Sequence, residues 1–527
     1  MNNKGMAITT IIYSIILLLS LSMFLVLGIL RSEYTNDKQY IADLREELND
    51  LLKGTNNESD NVIIDESGAN KPILASNMIP VYYDETNEVW KKADANNSLS
   101  FATYKLGDVN GDGEITAIDR SLLSRYLKNE GNLSQIQILA ADVDGDGVVT
   151  ENDGNLIKNC VSGAITTFPA GAPLEEKQAL VGLNKWYDYN DKMWANAVTV
   201  TSTNRTKYLN AEPGTTIPMD DITTMWVWIP RFNAVTPSNY NGGTKDNPGA
   251  INVTFVKANE TAIDAFTFGT KELSGFWYAK FETSHSTLSS ENSNNLGCTN
   301  ETCSNANGII IKPNVVSLRY NNISNMFYAS RSMEQTGNSF GFVSSEVDTH
   351  MSKNNEWGAV AYLTQSIYGR CTSSTSCTEI GINNNSRHIT GYGAPAGSAT
   401  SVTNGAYNTT LGKDASTTGT IYGIYDMSGG VEEYVMGVYN NAIKSSGFSN
   451  MPNEKYYNNY TSSSYTGHAL TETAGWYKDS SSFGYSDYPW FRRGGDYKSD
   501  ISSGIFNYYS VAVAFVNSSF RIALINE

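Results

Sequence analysis

The sequence predicts an α+β chain in which short strands dominate, interrupted by one compact all-helical module and headed by a long apolar helix. Three observations carry that prediction. Met6 to Leu30 is a run of 25 uncharged residues. Two acidic, glycine-bearing loops recur 34 residues apart, starting at Asp108 and Asp142. From about Met225 onward, short apolar runs alternate with Gly/Asn/Ser-rich segments, the pattern of strands and turns. The 527 residues are enough for about three or four domains. They carry 54 acidic against 37 basic side chains, a formal charge of −17, and no Lys/Arg-rich run. Nucleic acid is therefore not an expected partner, because neutralising phosphates needs clustered cations. The histidines His285, His350, His388 and His468 form no HExxH pair and no zinc-type cluster.

As a helix, the apolar run exceeds the roughly 30 Å hydrocarbon core of a bilayer. A removed secretory signal is the alternative, but its apolar region is shorter and ends at small residues, whereas Arg31-Ser32-Glu33 follows here. The expectation is a retained membrane anchor over 1–30, with Lys4 favouring an inside N-terminus and a C-terminus outside. Tyr34, Ile41, Leu44, Leu48 and Leu51 then recur at helical spacing up to Lys53-Gly54, so 31–53 reads as a helical stalk and 54–73 as a polar linker. The start Asn3-Lys4-Gly5 before a hydrophobic helix resembles a type IV prepilin leader. That resemblance implies cleavage after Gly5 and association with a pilus, although pilins carry Glu where this chain has Thr10.

The two loops are Asp108-Val-Asn110-Gly-Asp112-Gly-Glu114-Ile-Thr116-Ala-Ile-Asp119 and Asp142-Val-Asp144-Gly-Asp146-Gly-Val148-Val-Thr150-Glu-Asn-Asp153. Each places oxygen-bearing side chains at positions 1, 3, 5, 9 and 12, with glycine at position 6, the spacing that closes hard oxygens around Ca²⁺. Ser121 to Leu127 can form an exiting helix, and no helix-forming segment is expected before either loop. With the blocks LGDVNGDGEIT, LLSRYL and AADVDGDGVVT, residues 104–165 closely resemble a type I dockerin. The resemblance implies two Ca²⁺ ions and a cohesin-like partner. Its ligands would be the side chains of Asp108, Asn110, Asp112, Asp119, Asp142, Asp144, Asp146 and Asp153. Glu114 and Val148 would add carbonyls, and Thr116 and Thr150 would act through water. Dockerins often carry Ser-Thr at loop positions 10 and 11. Ala117-Ile118 and Glu151-Asn152 stand there and differ from each other, which argues against symmetric two-way docking. An internal brace is the alternative role. The aromatic flanks 74–103 and 166–205 read as one small β subdomain into which the module is inserted.

The region 206–527 contains, in order, Met225-Trp-Val-Trp-Ile-Pro230, Gly275-Phe-Trp-Tyr-Ala-Lys-Phe-Glu-Thr-Ser284, Asn355-Glu-Trp-Gly-Ala, Tyr422-Gly-Ile-Tyr-Asp-Met-Ser-Gly-Gly-Val-Glu-Glu-Tyr434, Arg493-Gly-Gly and Ser519-Phe-Arg-Ile-Ala-Leu524. That order resembles the formylglycine-generating-enzyme, or sulfatase-modifying-factor, family with its C-type lectin fold. Active members hold copper on two cysteines, and Ser499 and Gly504 align with them. A thiolate is the redox-active ligand, so neither copper nor catalysis is expected. Cys298/Cys303 and Cys371/Cys377 are spaced for short loop disulfides in an oxidising exterior, reduced thiols being the alternative. Asp426, Gly429, Val431 and Glu433 match the family's structural calcium site, implying one further ion.

The ending, Arg-Gly-Gly followed by Phe-Arg, also looks like the variable proteins of diversity-generating retroelements. The face this resemblance implies is Asp496, Tyr497, Asn507, Tyr508, Tyr509, Ser510 and Asn517, framed by Trp490 and Arg493. Every residue from Asp496 to Ser519 except Lys498 can be written with an NNC codon, and Tyr, Ser and Asn suit adaptable recognition. The resulting expectation is a non-catalytic ligand-binding or adhesion protein, anchored by its N-terminal helix in the membrane at a bacterial cell surface. Its ligand would be a surface receptor, glycan or protein. A structural pilin-like or scaffold subunit, and a sulfatase-modifying-factor enzyme of altered chemistry, are the alternatives.

Overall fold

The structure is a computed structural model that describes residues 67–526 apart from 96–98, 129, 132, 134, 184, 290–291, 399–404, 463–464 and 512–517. The chain divides into two compact units, one of which includes Leu99–Leu183 and the other Asn184–Glu527 together with the segment before Leu99.

The larger unit is built on a seven-stranded sheet. Strands β1 (Ile79–Asp84) and β2 (Val89–Lys92) form a hairpin. Beyond the smaller unit, whose strands are β3 (Leu99–Lys105) and β4 (Glu176–Leu183), come β5 (Asn196–Val200) and β6 (Ile222–Pro230). Then follow β7 (Gly275–Ala279), β8 (Val347–Met351) and the closing β14 (Ile522–Asn526). The order β8-β14-β7-β6-β5-β1-β2 is antiparallel throughout. A second sheet has β10 (Asn458–Tyr460), β9 (Glu432–Tyr439), β11 (Trp490–Arg493) and β12 (Tyr508–Val511) in that order, with β13 (Ser518–Phe520) also on β9. Trp186, Trp194, Trp226, Trp277 and Trp357 are all fully buried in this unit's core, and each buried aromatic side chain removes on the order of 150–250 Å² from water.

Those tryptophans correct the expected subdomain. β1 and β5, from opposite sides of the inserted module, pair directly with Ile79 opposite Val198. β5 pairs in turn with β6. The flanks are thus the outer strands of the large sheet, because their aromatic side chains are buried in the same core.

In the smaller unit, β3 and β4 form an antiparallel ladder from Leu99↔Leu183 to Lys105↔Glu176. Between its two strands lie α1 (Ala117–Leu127), α2 (Gln135–Ala141) and α3 (Glu151–Val161). α1 packs on α3, and Leu106, Val109, Leu123, Ala141, Val143, Val149, Ile157 and Phe168 form the buried core. α2 is a correction, since no helix was expected before the second loop. Its apolar run ends in the buried Ala140 and Ala141, and burial against the core outweighs the lack of a propensity signal.

The fold class also needs correction. The described chain is a mixed α/β structure, mostly sheet, and no helix among the described residues is long and apolar enough to cross a membrane. The anchor and stalk assigned to 1–53, and the prepilin-like start, lie outside the described residues. Both expected cysteine pairs are bridged, Cys298 to Cys303 and Cys371 to Cys377, and Cys160 is free.

Candidate metal centre

Each acidic loop is wound around its own first aspartate. In the first, the backbone amides of Gly111 and Gly113 donate to Asp108 Oδ1 and Oδ2 at 2.8 Å each. In the second, those of Gly145 and Gly147 donate to Asp142 Oδ1 and Oδ2 at 2.9 Å each. Gly113 and Gly147 hold φ of 90° and 84°, the left-handed turn for which position 6 needs glycine. The ends of the loops match too. Asp119 Oδ1 accepts from Asn110 N at 3.0 Å and its Oδ2 from Thr116 N at 2.8 Å. Asp153 Oδ1 accepts from Val143 N at 3.1 Å and its Oδ2 from Thr150 N at 2.8 Å. Thr116 and Thr150 are the N-caps of α1 and α3, with Asp119 and Asp153 completing capping boxes. Their local role is thus to start the exiting helices.

In the second loop, one carboxylate oxygen each from Asp142, Asp144 and Asp146 lie within 4.8 Å of one another. Burial, then the nearby charges of Asp153 and Asp144, push the Asp142 carboxyl up to about 6. Burial likewise raises Asp153. Like charges this close repel unless a cation neutralises them, and hard carboxylate oxygens suit Ca²⁺. In the first loop Asn110 replaces one carboxylate, its amide donating to Asp112 Oδ2 at 2.7 Å and its oxygen accepting from Asp112 N at 3.0 Å. The Glu114 and Val148 amides donate to Asp112 Oδ1 and Asp146 Oδ1 at 2.9 Å each. These hydrogen bonds set the backbone of position 7, the expected carbonyl ligand, in both loops. The oxygen donors of these loops fit calcium.

The further site expected at Asp426, Gly429, Val431 and Glu433 is not assembled. Glu433 pairs with Arg521, Nη2 to Oε1 at 2.5 Å and Nε to Oε2 at 3.1 Å, both side chains fully buried. Asp426 accepts from Asn383 Nδ2 at 2.8 Å and Gly391 N at 2.9 Å. Gly429 N donates to Gly494 O at 3.1 Å, and Val431 N to Glu282 Oε1 at 2.8 Å. A guanidinium already supplies the positive charge. Among the described residues, the group of three or more acidic, His or Cys side chains within ligand distance is the one in the second loop.

The implied binding face is also corrected. Trp490, Asn507, Tyr508 and Ser510 are buried, Tyr508 at 2% exposure, while its neighbour Tyr509 is 45% exposed. The alternation of strand β12 turns successive side chains to opposite faces. Asp496 and Tyr497 are half-buried, and Asn517 lies outside the described residues. Two tyrosines the sequence reading passed over are exposed with Tyr509. Tyr485 and Tyr488 close a tight turn, each amide donating to the other's carbonyl, with ring centroids 5.2 Å apart. The Tyr485 hydroxyl is within electrostatic reach of Tyr509. The signal was the four-residue turn Tyr485-Ser-Asp-Tyr488 followed by Pro489.

Residues 106–162 match the family described as the dockerin type I domain. A chain from a crystallised complex of the third ScaC cohesin with the ScaB dockerin of Acetivibrio cellulolyticus is 38% identical over 12% of this chain and 93% of its own length, with a TM-score of 0.12. No curated protein matches the chain.

Proposed function

We propose that this chain uses residues 106–162 to bind a cohesin-like protein in a calcium-dependent manner. The observation that carries the reading is the matched pair of aspartate-centred loops, each continuing directly into a capped helix. The dockerin match and the cohesin in the similar complex agree with it.

The two repeats offer different surfaces. Glu151, at position 10 of the second loop, forms an ion pair with Arg120, and Asn152 Nδ2 donates to Asp144 Oδ2 at 2.7 Å. The corresponding Ala117 and Ile118 make no such contacts among the described residues, and Ile118 is 56% exposed. Docking through α1, with Ile118 in the interface, is the single mode this asymmetry favours. The test is binding of the full chain to an immobilised type I cohesin. Binding is expected with Ca²⁺ and not with chelator, is weakened about tenfold or more by Ile118→Asp, and is little changed by Glu151→Ala. Retention of full affinity in chelator, or by an Asp112→Ala/Asp146→Ala double variant, would sink the reading.

For the large unit, a non-catalytic recognition role at a bacterial cell surface is the companion reading. It is supported by the exposed Tyr485, Tyr488 and Tyr509, and by two loop disulfides suited to an oxidising exterior. Sequencing the gene across a population tests it: substitutions gathered at these tyrosines and at Asp496 and Tyr497 are expected, and an even spread over the unit removes the idea.

A further inference from the structure

Away from both loops, the large unit encloses a cavity of about 10 Å³, room for one water molecule or one ion. Gln365, Arg370, Glu379, Tyr477, Asp479 and Gly504 line it. Asp479 is only 4% exposed. Its Oδ2 accepts from Phe506 N at 2.9 Å, while Oδ1 has no hydrogen-bond donor among the described residues. Gly504 lets the backbone close over this carboxylate: a Cβ there would lie 2.2 Å from Oδ1 and 2.4 Å from Oδ2.

Several neighbouring donors are engaged elsewhere. Arg370 Nε donates to Thr378 O at 3.3 Å, and its Nη2 donates to Glu379 O at 3.2 Å and pairs with Asp414 at 3.3 Å. Gln365 Nε2 and the Tyr477 hydroxyl bond each other, and Gln365 also reaches Pro248 O at 3.1 Å. Two carboxylates therefore share a one-particle cavity, and one of them presents a buried oxygen with no donor. A water molecule would hydrate that oxygen but add no counter-charge. Arg493 and Lys478 act on Asp479 and Glu379 only from a distance, without an ion pair to either carboxylate among the described residues, whereas a buried charge needs a close counter-charge.

We propose that this cavity binds a single small hard cation of the Ca²⁺ type, held by Asp479 Oδ1 with Glu379 as the second anionic ligand. The site is independent of the dockerin loops, and Gly504 is the residue that makes space for it.

The test uses the full chain with both loops disabled by Asp108→Ala, Asp112→Ala, Asp142→Ala and Asp146→Ala. After chelation it is titrated with Tb³⁺, whose emission the adjacent Trp476 and Tyr477 can sensitise, and then with competing Ca²⁺. Expected are one saturating emission phase displaced by Ca²⁺, a Ca²⁺-dependent rise in the large unit's Tm, and loss of both in an added Asp479→Asn. Equal emission and Tm response with and without Asp479→Asn overturns the proposal, as does the absence of either response in the parent, leaving the cavity to a water or a proton. Should Asp479→Asn not fold, the half-buried Glu379→Gln decides: a tenfold or greater loss of Tb³⁺ affinity supports the site, and unchanged affinity overturns it.

Discussion

The two units handle buried negative charge in opposite ways. In the large unit, two buried carboxylates meet cations on the same chain: Glu433 faces Arg521, and Asp348 meets Arg331, His350 and Lys455. In the dockerin unit, Asp108, Asp142 and Asp153 are wrapped by backbone amides, and among the described residues none of the three is in an ion pair with a Lys or Arg. The large unit also has an extended aromatic core, whereas the core cluster of the small one has eight buried apolar side chains among the described residues. A small core supplies little stability by itself. The difference teaches that a carboxylate paired with an arginine or histidine of the same chain needs no ion, whereas those of the loops take their counter-charge from solution, which makes the small unit switchable.

Breaking the comparison at its weaker side should have the largest effect. Removing Ca²⁺ from the full chain, or introducing Asp112→Ala with Asp146→Ala, should unfold 99–183 while the large unit stays folded. The loss is the whole stability of the small unit, on the order of 5 kcal/mol. Hydrogen exchange should show protection vanishing from α1 and α3 and persisting in β6 and β7; equal protection of α1 with and without Ca²⁺ would contradict it. Next in size, Glu433→Ala should destabilise the large unit by roughly 3–5 kcal/mol, because it strands a buried guanidinium, and the added Arg521→Met should recover part of that. Denaturant melts of the single and double variants check both.

His350 comes third. Burial opposes its charge, yet Glu356 and Asp348 hold it at about 9, above the ordinary 6.5. Because the folded value is raised, this group's contribution is complete below pH 6.5 and is lost as pH rises through 9. Its size is on the order of 2–3 kcal/mol. The large unit's Tm should fall between pH 6.5 and 9.5, and His350→Gln should lower the starting Tm and flatten that slope. A smaller effect is expected on the calcium side, where Asp142 must lose a proton that it holds up to about 6. Affinity at pH 5 should be about tenfold weaker than at pH 7 by calorimetry. The smallest belongs to Arg120. Its ion pair with Glu151 is partly exposed, so Arg120→Ala should cost about 0.5 kcal/mol in stability. The same variant sharpens the docking asymmetry, since it frees Glu151.

What was legible in the sequence follows from the range of the forces involved. The acidic loops could be read from the sequence because each spans only twelve consecutive positions, where backbone geometry ties the spacing to the amide bonds around Asp108 and Asp142. The disulfide partners were legible for the same reason. By contrast, α2 owes its existence to burial of Ala141 in the small unit's core, which its own residues do not announce. Joining β1 to β5 required knowing that Trp90, Trp194 and Trp226 enter one core, a contact across the whole inserted module. The binding face failed on strand parity. Tyr508 and Tyr509 have the same composition signal, and only the register of Arg493↔Tyr508 and Arg492↔Tyr509 decides which ring points inward. Glu433 was misassigned because a carboxylate matched to a cation site by motif can be neutralised equally by an arginine 88 residues away.

The ladder between β3 and β4 has a mechanical consequence. A module at a chain end hangs on one strand of polypeptide, and a load pulling on it must peel or shear whatever that strand is bonded to. Here the calcium loops lie between Lys105 and Glu176, and the ladder joins the two chain segments that enter and leave them. Tension applied to a docked partner would be divided between two covalent segments running side by side and drawn in the same direction. Their cross-strand hydrogen bonds would then see almost no opening force. A protein built this way should yield first at the ion-held loops or at the docked interface, not at its own stem.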